Sequence, residues 1–250
     1  MKFVVVGLPK TGKTMICDSL DKLDGFTVYD EIFTARMGHG KAPDHPLKFM
    51  NDMRKRKKKN CFVKWYQKHH NTDVMNIKKL AEPKDIEGFL DHTFSKDENV
   101  GFKLHHHHII TLRYILRYLR DNNIKIIHTY RRNKLKQAIA VLGNRKRITI
   151  NKEKFKLKLN SIEKKIKEFE TRNIQLIEWF DNNNYDYMKI VYEDLTGDKH
   201  INEMDVREIK EFLGVDIPDV IPVRTKKNTF TKVKDNLINY KEILDGISTD

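Results

Sequence analysis

The sequence predicts an α/β protein, a three-layer, P-loop-like fold in which a central parallel sheet is flanked by helices. Three observations carry this. Short apolar runs such as Phe3-Val4-Val5-Val6 and Ile124-Lys125-Ile126-Ile127 lack the polar alternation of a half-exposed strand, as expected for strands covered on both faces. Helical patterns separate these runs, which is the alternation of parallel strands with crossover helices. The first run also stops at Gly7 and passes through Leu8-Pro9-Lys10-Thr11-Gly12 straight into a helical pattern. Strand, tight loop and helix start in that order form an anion cradle, because unpaired N–H groups and the helix dipole point into the loop.

The elements follow in order. After the first strand comes a helix over 15–23, then a second strand over 26–29. From 38 to 97 the pattern is less regular and reads as an insertion into one domain spanning 1–250. Gly38, Gly40, Pro43 and Pro46 mark a loop there, and two helices are expected at about 73–81 and 84–94. A third strand over 100–104 runs into His105, His106, His107 and His108. A helix over 110–121 leads to a buried strand over 124–130, then to Arg131, Arg132 and a helix from Asn133 through Leu142. Phe155, Leu159, Ile162, Ile166, Phe169, Leu176 and Phe180 form a stripe with helical spacing, which predicts a long amphipathic helix packed on the domain's own sheet. A strand over 187–191, a helix over 206–213 stopped by Gly214, and a helical tail around Leu237, Ile238, Tyr240 and Ile243 complete the chain.

Composition narrows the setting. The net charge of +14 and pI near 9.5 describe a surface that attracts anions. The basic run from Arg54 to Lys59 contains no aromatic residue and reads as a solvated face rather than a nucleic-acid patch. Cys17 and Cys61 lack metal-ligand spacing and are expected to be reduced thiols of a cytoplasmic protein. No apolar run approaches the length of a membrane span, and no signal peptide is expected.

Several residues carry chemistry. Gly7, Gly12, Lys13 and Thr14 satisfy the Walker A spacing between a strand and a helix, with Lys10 adding a second positive charge. Glu31 stands just past the second strand, where ligands of parallel sheets collect. His105, two residues after Lys103, is an alternative acid/base group. Four consecutive histidines point in different directions, so no metal site is expected there. Two arginines, Arg131 and Arg132, at the end of a buried strand suit a phosphate.

Taken together, these residues resemble the sulfotransferases that use 3′-phosphoadenosine 5′-phosphosulfate (PAPS), in the motif style of the bacterial, carbohydrate-directed branch. Pro9 to Thr14 is similar to their 5′-phosphosulfate loop. Residues 126–140 are similar to their 3′-phosphate strand and helix, Val191-Tyr192-Glu193-Asp194-Leu195 to a common strand end, and Lys226-Lys227 with 236–242 to their closing tail. The resemblance implies that Lys10 stabilises the oxygen bridging sulfate to nucleotide, and that Thr11, Gly12, Lys13 and Thr14 hold the 5′-phosphate. It implies that Arg131 or Arg132, with Lys226 and Lys227, grips the 3′-phosphate, and that Tyr192 lies near adenine. The base for an acceptor hydroxyl is then Glu31 or the histidine of a Lys-x-His sequence, Lys103 and His105, with Glu31 preferred. The region at 38–97 becomes an acceptor-side insertion, the acceptor a carbohydrate or other hydroxylated molecule, and no metal is required. Two positions depart from the family pattern. Ala140 replaces a phosphate-binding serine, and Lys13 completes a true Walker A, which makes an ATP/Mg-dependent P-loop kinase of a small molecule the alternative.

Overall fold

β1 (Lys2–Gly7) takes the centre of the sheet because its side chains Phe3, Val4, Val5 and Val6 lose all contact with solvent there. The computed structural model describes residues 1–30, 32, 83–95, 97–106, 113–149, 154–195, 200–223 and 233–247. Within them, β2 (Phe26–Tyr29), β3 (Asn99–His105), β4 (Lys125–Tyr130) and β5 (Tyr187–Val191) join β1 in one sheet of order β2-β3-β1-β4-β5. Every pairing is parallel, as the unalternating apolar runs require.

Alternate residues of β1 serve opposite layers. Val4 and Val6 face α2 (Pro83–Phe94), α3 (Arg113–Asp121) and the end of α5 (Leu159–Asn182), meeting Phe89, Leu90, Ile115, Leu119 and Phe180. Phe3 and Val5 face α1 (Lys13–Leu20) and α6 (Glu203–Leu213), meeting Ile16, Leu20, Ile209 and Leu213. Each such side chain contributes about 1.5–3 kcal/mol when fully buried, which makes this strand the least replaceable part of the chain. A third cluster joins Leu8 to α4 (Lys134–Thr149), the first half of α5 and the tail through Leu135, Ile139, Ile162, Phe169 and Val233.

Several boundaries differ from the sequence expectation. α1 stops at Leu20, because the Asp21 carboxylate turns to accept the Val28 N–H (3.0 Å) and ties the chain to β2. α4 continues beyond Leu142 to Thr149. α5 begins at Leu159 rather than Phe155, which instead forms a parallel bridge with Leu237. Phe155 N–H donates to Asn236 O and Ile238 N–H donates to Phe155 O, both at 2.9 Å. The apolar stripe runs on through this bridge because Phe155 packs into the same cluster as the helix, and the bridge removes Leu237 and Ile238 from the tail helix, α7 (Tyr240–Gly246). The expected helix at 73–81 lies outside the described residues. Gly214 closes α6 in the left-handed conformation (φ 67°). Among the described residues, no helix is long and apolar enough to cross a membrane. Cys17 is buried, which pushes its thiol up to about 12; Cys61 lies outside the described residues.

Among the polar side chains buried in the core, one is an imidazole inside a central strand. His128 of β4 is fully buried edge-on against Phe180 (5.8 Å), and neither ring nitrogen has a hydrogen-bond partner among the described residues. Burial, with the nearby charges of Lys189 and Lys13, lowers it to about 3. A folded-state value below the unfolded one means the unfolded chain binds the extra proton, so stability present above about pH 6.5 is lost as pH falls toward 3. The window corresponds to roughly 5 kcal/mol at full extent. Urea unfolding at pH 7 and pH 5 should therefore show a steeper loss in the native protein than in His128→Leu; parallel losses would exclude His128 as the cause.

Candidate functional site

Buried polar side chains concentrate at one edge of the sheet. Thr11, Lys13, Lys103, Thr129, Arg131 and Gln137 are all nine-tenths or more buried, and they lie at or just beyond the carboxyl ends of β1, β3 and β4. The strand order explains the place. From β1 the chain crosses to the β2-β3 side and later returns to the β4-β5 side, so the end of β1 is the topological switch point where open parallel sheets bind ligands.

The loop after β1 is held from within. Lys13 sends its ammonium back to the carbonyl oxygens of Gly7 and Leu8, both at 2.7 Å. Thr11 Oγ1 donates to Leu8 O (2.8 Å) and lies 2.7 Å from Thr129 Oγ1 on β4. The first helical bonds of α1 run from Met15 and Ile16 N–H to Gly12 O, so the N–H groups of Lys13 and Thr14 lie ahead of the hydrogen-bonded helix. Lys10 adopts the left-handed conformation (φ 64°), which costs a non-glycine residue about 1–2 kcal/mol and must be imposed by its surroundings. Gly12 is left-handed too (φ 91°), with the Tyr192 ring packed against it. Loop and helix start together fit a phosphate group: N–H donors and positive charge meet where the backbone is tightest.

On the β3 side, strand alternation puts Lys103 and His105 on one face, and His105 pairs in register with Gly7. The Lys103 ammonium, almost wholly buried, donates to Thr14 Oγ1 (3.1 Å) and forms an ion pair with Asp30 at the end of β2. A fixed cation thus stands at the hydroxyl that opens α1.

On the β4 side, the turn into α4 is built around an anion supplied by the chain. The Glu193 carboxylate accepts the N–H groups of Arg132 (2.8 Å) and Asn133 (3.0 Å) and lies 3.7 Å from Arg131 Nε. Burial pushes Glu193 up, but these N–H bonds and the Arg131 charge outweigh it and hold the carboxyl below its usual range. Asn133 Oδ1 accepts the Lys136 N–H (2.7 Å) as a helix cap. Arg131 is buried with its guanidinium 4.5 Å from the Tyr192 ring centroid, and it donates to Lys10 O (3.2 Å). Burial lowers Arg131 from its ordinary value, offset by Tyr192 and Glu193, and the guanidinium stays charged. Arg132 is exposed and ion-paired with Asp194.

Of the residues singled out from sequence, Pro9, Lys10, Thr11, Gly12, Lys13, Thr14, Lys103, His105, Arg131 and Tyr192 gather at this edge, and Arg132 stands at its rim. Glu31, Lys226, Lys227 and the 54–59 run lie outside the described residues. Asp30, Thr129 and Gln137 were missed. Asp30 had the same signal as Glu31, a carboxylate following β2, whereas nothing local marks Thr129 or Gln137, which matter only through contacts with a loop over a hundred residues away. Among the described residues, no three His, Cys, Asp or Glu side chains are grouped to hold a metal ion.

No family model matches the chain, and no curated protein matches it. Among solved structures, a sulfotransferase from Alicyclobacillus acidocaldarius is similar, at 15% identity over 91% of this chain and 87% of that one, with a TM-score of 0.47. A likeness of that size bears on neither activity nor residue roles.

A β-carbon at Gly12 would lie 2.9 Å from Tyr192 Cδ2 and 3.3 Å from Leu195 Cδ2, on a backbone that L side chains rarely adopt. Gly12→Ala should lose about 1–3 kcal/mol in urea unfolding, and an unchanged midpoint would mean that the loop relaxes freely.

Proposed function

We propose that the protein is a sulfotransferase, transferring a sulfuryl group from PAPS to an acceptor hydroxyl, with a carbohydrate as the acceptor class. The observation that carries this is the Lys103 ammonium at Thr14 Oγ1 (3.1 Å), held there by Asp30. In a P-loop kinase the equivalent hydroxyl binds magnesium. Here the chain's own cation takes that position, which suits transfer of a sulfuryl group whose charge is met by ammonium groups alone.

The donor supplies an activated sulfate whose S–O bond to the nucleotide breaks as the acceptor oxygen bonds to sulfur. Lys10 meets the negative charge that develops on the leaving oxygen, while Thr11, Gly12, Lys13 and Thr14 hold the 5′-phosphate. Arg132, with 58% of its side chain exposed, has the reach for the 3′-phosphate together with Lys226 and Lys227; Arg131 is committed to the loop. Tyr192 offers a ring for the adenine side. The acceptor proton passes to Glu31, which follows β2 in sequence, or to His105, the last residue of β3. Fixed positive charge is effective because it needs no reorganisation as charge develops.

Thermal shifts separate this from the kinase alternative. Adenosine 3′,5′-bisphosphate at a hundred times its dissociation constant adds about 2.7 kcal/mol and should raise the midpoint, whereas ATP with magnesium or a short oligonucleotide should not. A shift with ATP and magnesium alone would overturn the proposal. Lys103→Met should lower sulfuryl turnover about a hundredfold or more, in the range of losing one charge-stabilising donor.

Glu31→Gln and His105→Ala, assayed separately for sulfate transfer to sugars, should identify the base by a loss of about a hundredfold in one of them. Losses below about tenfold in both would remove both from that role.

A further inference from the structure

The loop that carries Lys10 does not set its shape alone. Its two central carbonyl oxygens are each held by a side chain from the β4–α4 unit: Pro9 O accepts Gln137 Nε2 (2.8 Å), and Lys10 O accepts Arg131 Nη1 (3.2 Å). Gln137 is fully buried at the close of the first turn of α4, and Arg131 is wedged between Tyr192 and the loop. Between these two anchored carbonyls lies the left-handed backbone of Lys10, a conformation that a residue with a β-carbon keeps only under external restraint.

A purely structural role explains less well why these donors are there. Gln137 is buried at a cost: its Oε1 has no hydrogen-bond partner among the described residues, so the amide is retained for the single bond made by its nitrogen. An apolar side chain at that position would leave no unpaired oxygen behind. What the amide adds is a fixed direction for the Pro9 carbonyl, and with it the direction in which the Lys10 side chain leaves the backbone.

We propose that Gln137 and Arg131 are positioning residues: a two-pronged brace from β4–α4 that holds the Pro9-Lys10 peptide in its strained form and so sets where the Lys10 ammonium stands. This deepens the sulfotransferase reading and rests on it for the role of Lys10. The brace also joins the two anion-binding turns, because Arg131 belongs to the same turn as Arg132 and shares the Glu193 clasp. Placement of the catalytic ammonium is thereby tied to the turn assigned to the second phosphate.

The test compares Gln137→Met, which keeps length and apolar volume and loses the donor, with the native protein. Hydrogen–deuterium exchange should rise at least about tenfold in the loop spanning residues 8–14 and stay unchanged in α3, which packs on the opposite face of the sheet from α1. With PAPS and a sugar acceptor, kcat should fall about tenfold to a hundredfold while KM for PAPS changes less than about threefold, since displacement of about 1 Å costs that much in rate. Gln137→Leu carries the same measurements if the methionine variant does not fold. Unchanged loop exchange, or a rise in KM with kcat intact, overturns the brace. A native protein that neither binds adenosine 3′,5′-bisphosphate nor transfers sulfate overturns the sulfotransferase reading instead, and the exchange comparison then decides the brace by itself.

Discussion

Two carbonyl oxygens at the end of β1 converge on one buried ammonium, that of Lys13. The rest of the site depends on this contact. A central strand covered on both faces must turn sharply at its end, and the turn leaves backbone acceptors out of reach of water, which are costly unless paired. Lys13 supplies that pairing from the first turn of the helix that the loop introduces. Strand, loop and helix thus close on themselves, and the N–H groups at the helix start are left facing the open edge.

Around that closure, charge is arranged in opposed pairs. Lys103 is set against Asp30, Arg131 against Glu193, and Arg132 against Asp194. The two pairs whose cation is buried, Lys103 with Asp30 and Arg131 with Glu193, contribute little net stability but hold their members in one geometry. The arrangement lets a chain with a net charge of +14 bring several cations to one edge without mutual repulsion scattering them. It also gives the edge more than one kind of cation: Lys103 points into the helix start, whereas Arg132 reaches outward from the rim.

Much of the fold was legible because burial on two faces leaves a plain mark. Phe3 to Val6 and Ile126 to Ile127 read as buried parallel strands, and Gly214 read as a helix stop, since each is a local consequence of backbone geometry and solvent exclusion. The stripe from Phe155 misled at its start for an equally physical reason. Periodicity reports which side chains face the core, and Phe155 faces it from an extended bridge to Leu237 as well as it would from a helix.

For the candidate site, the sequence by itself determined the tight loop between β1 and α1, because Gly12, Lys13 and Thr14 act through neighbours a few residues away. It also placed Lys103 and His105 on one face of a strand end, as alternation demands. Only the tertiary structure decided which arginine is buried, that Asp30 meets Lys103, and that Gln137 reaches Pro9. Those contacts join residues from separate strands and helices, and a chain's local preferences carry no information about partners that only sheet order brings within 3 Å.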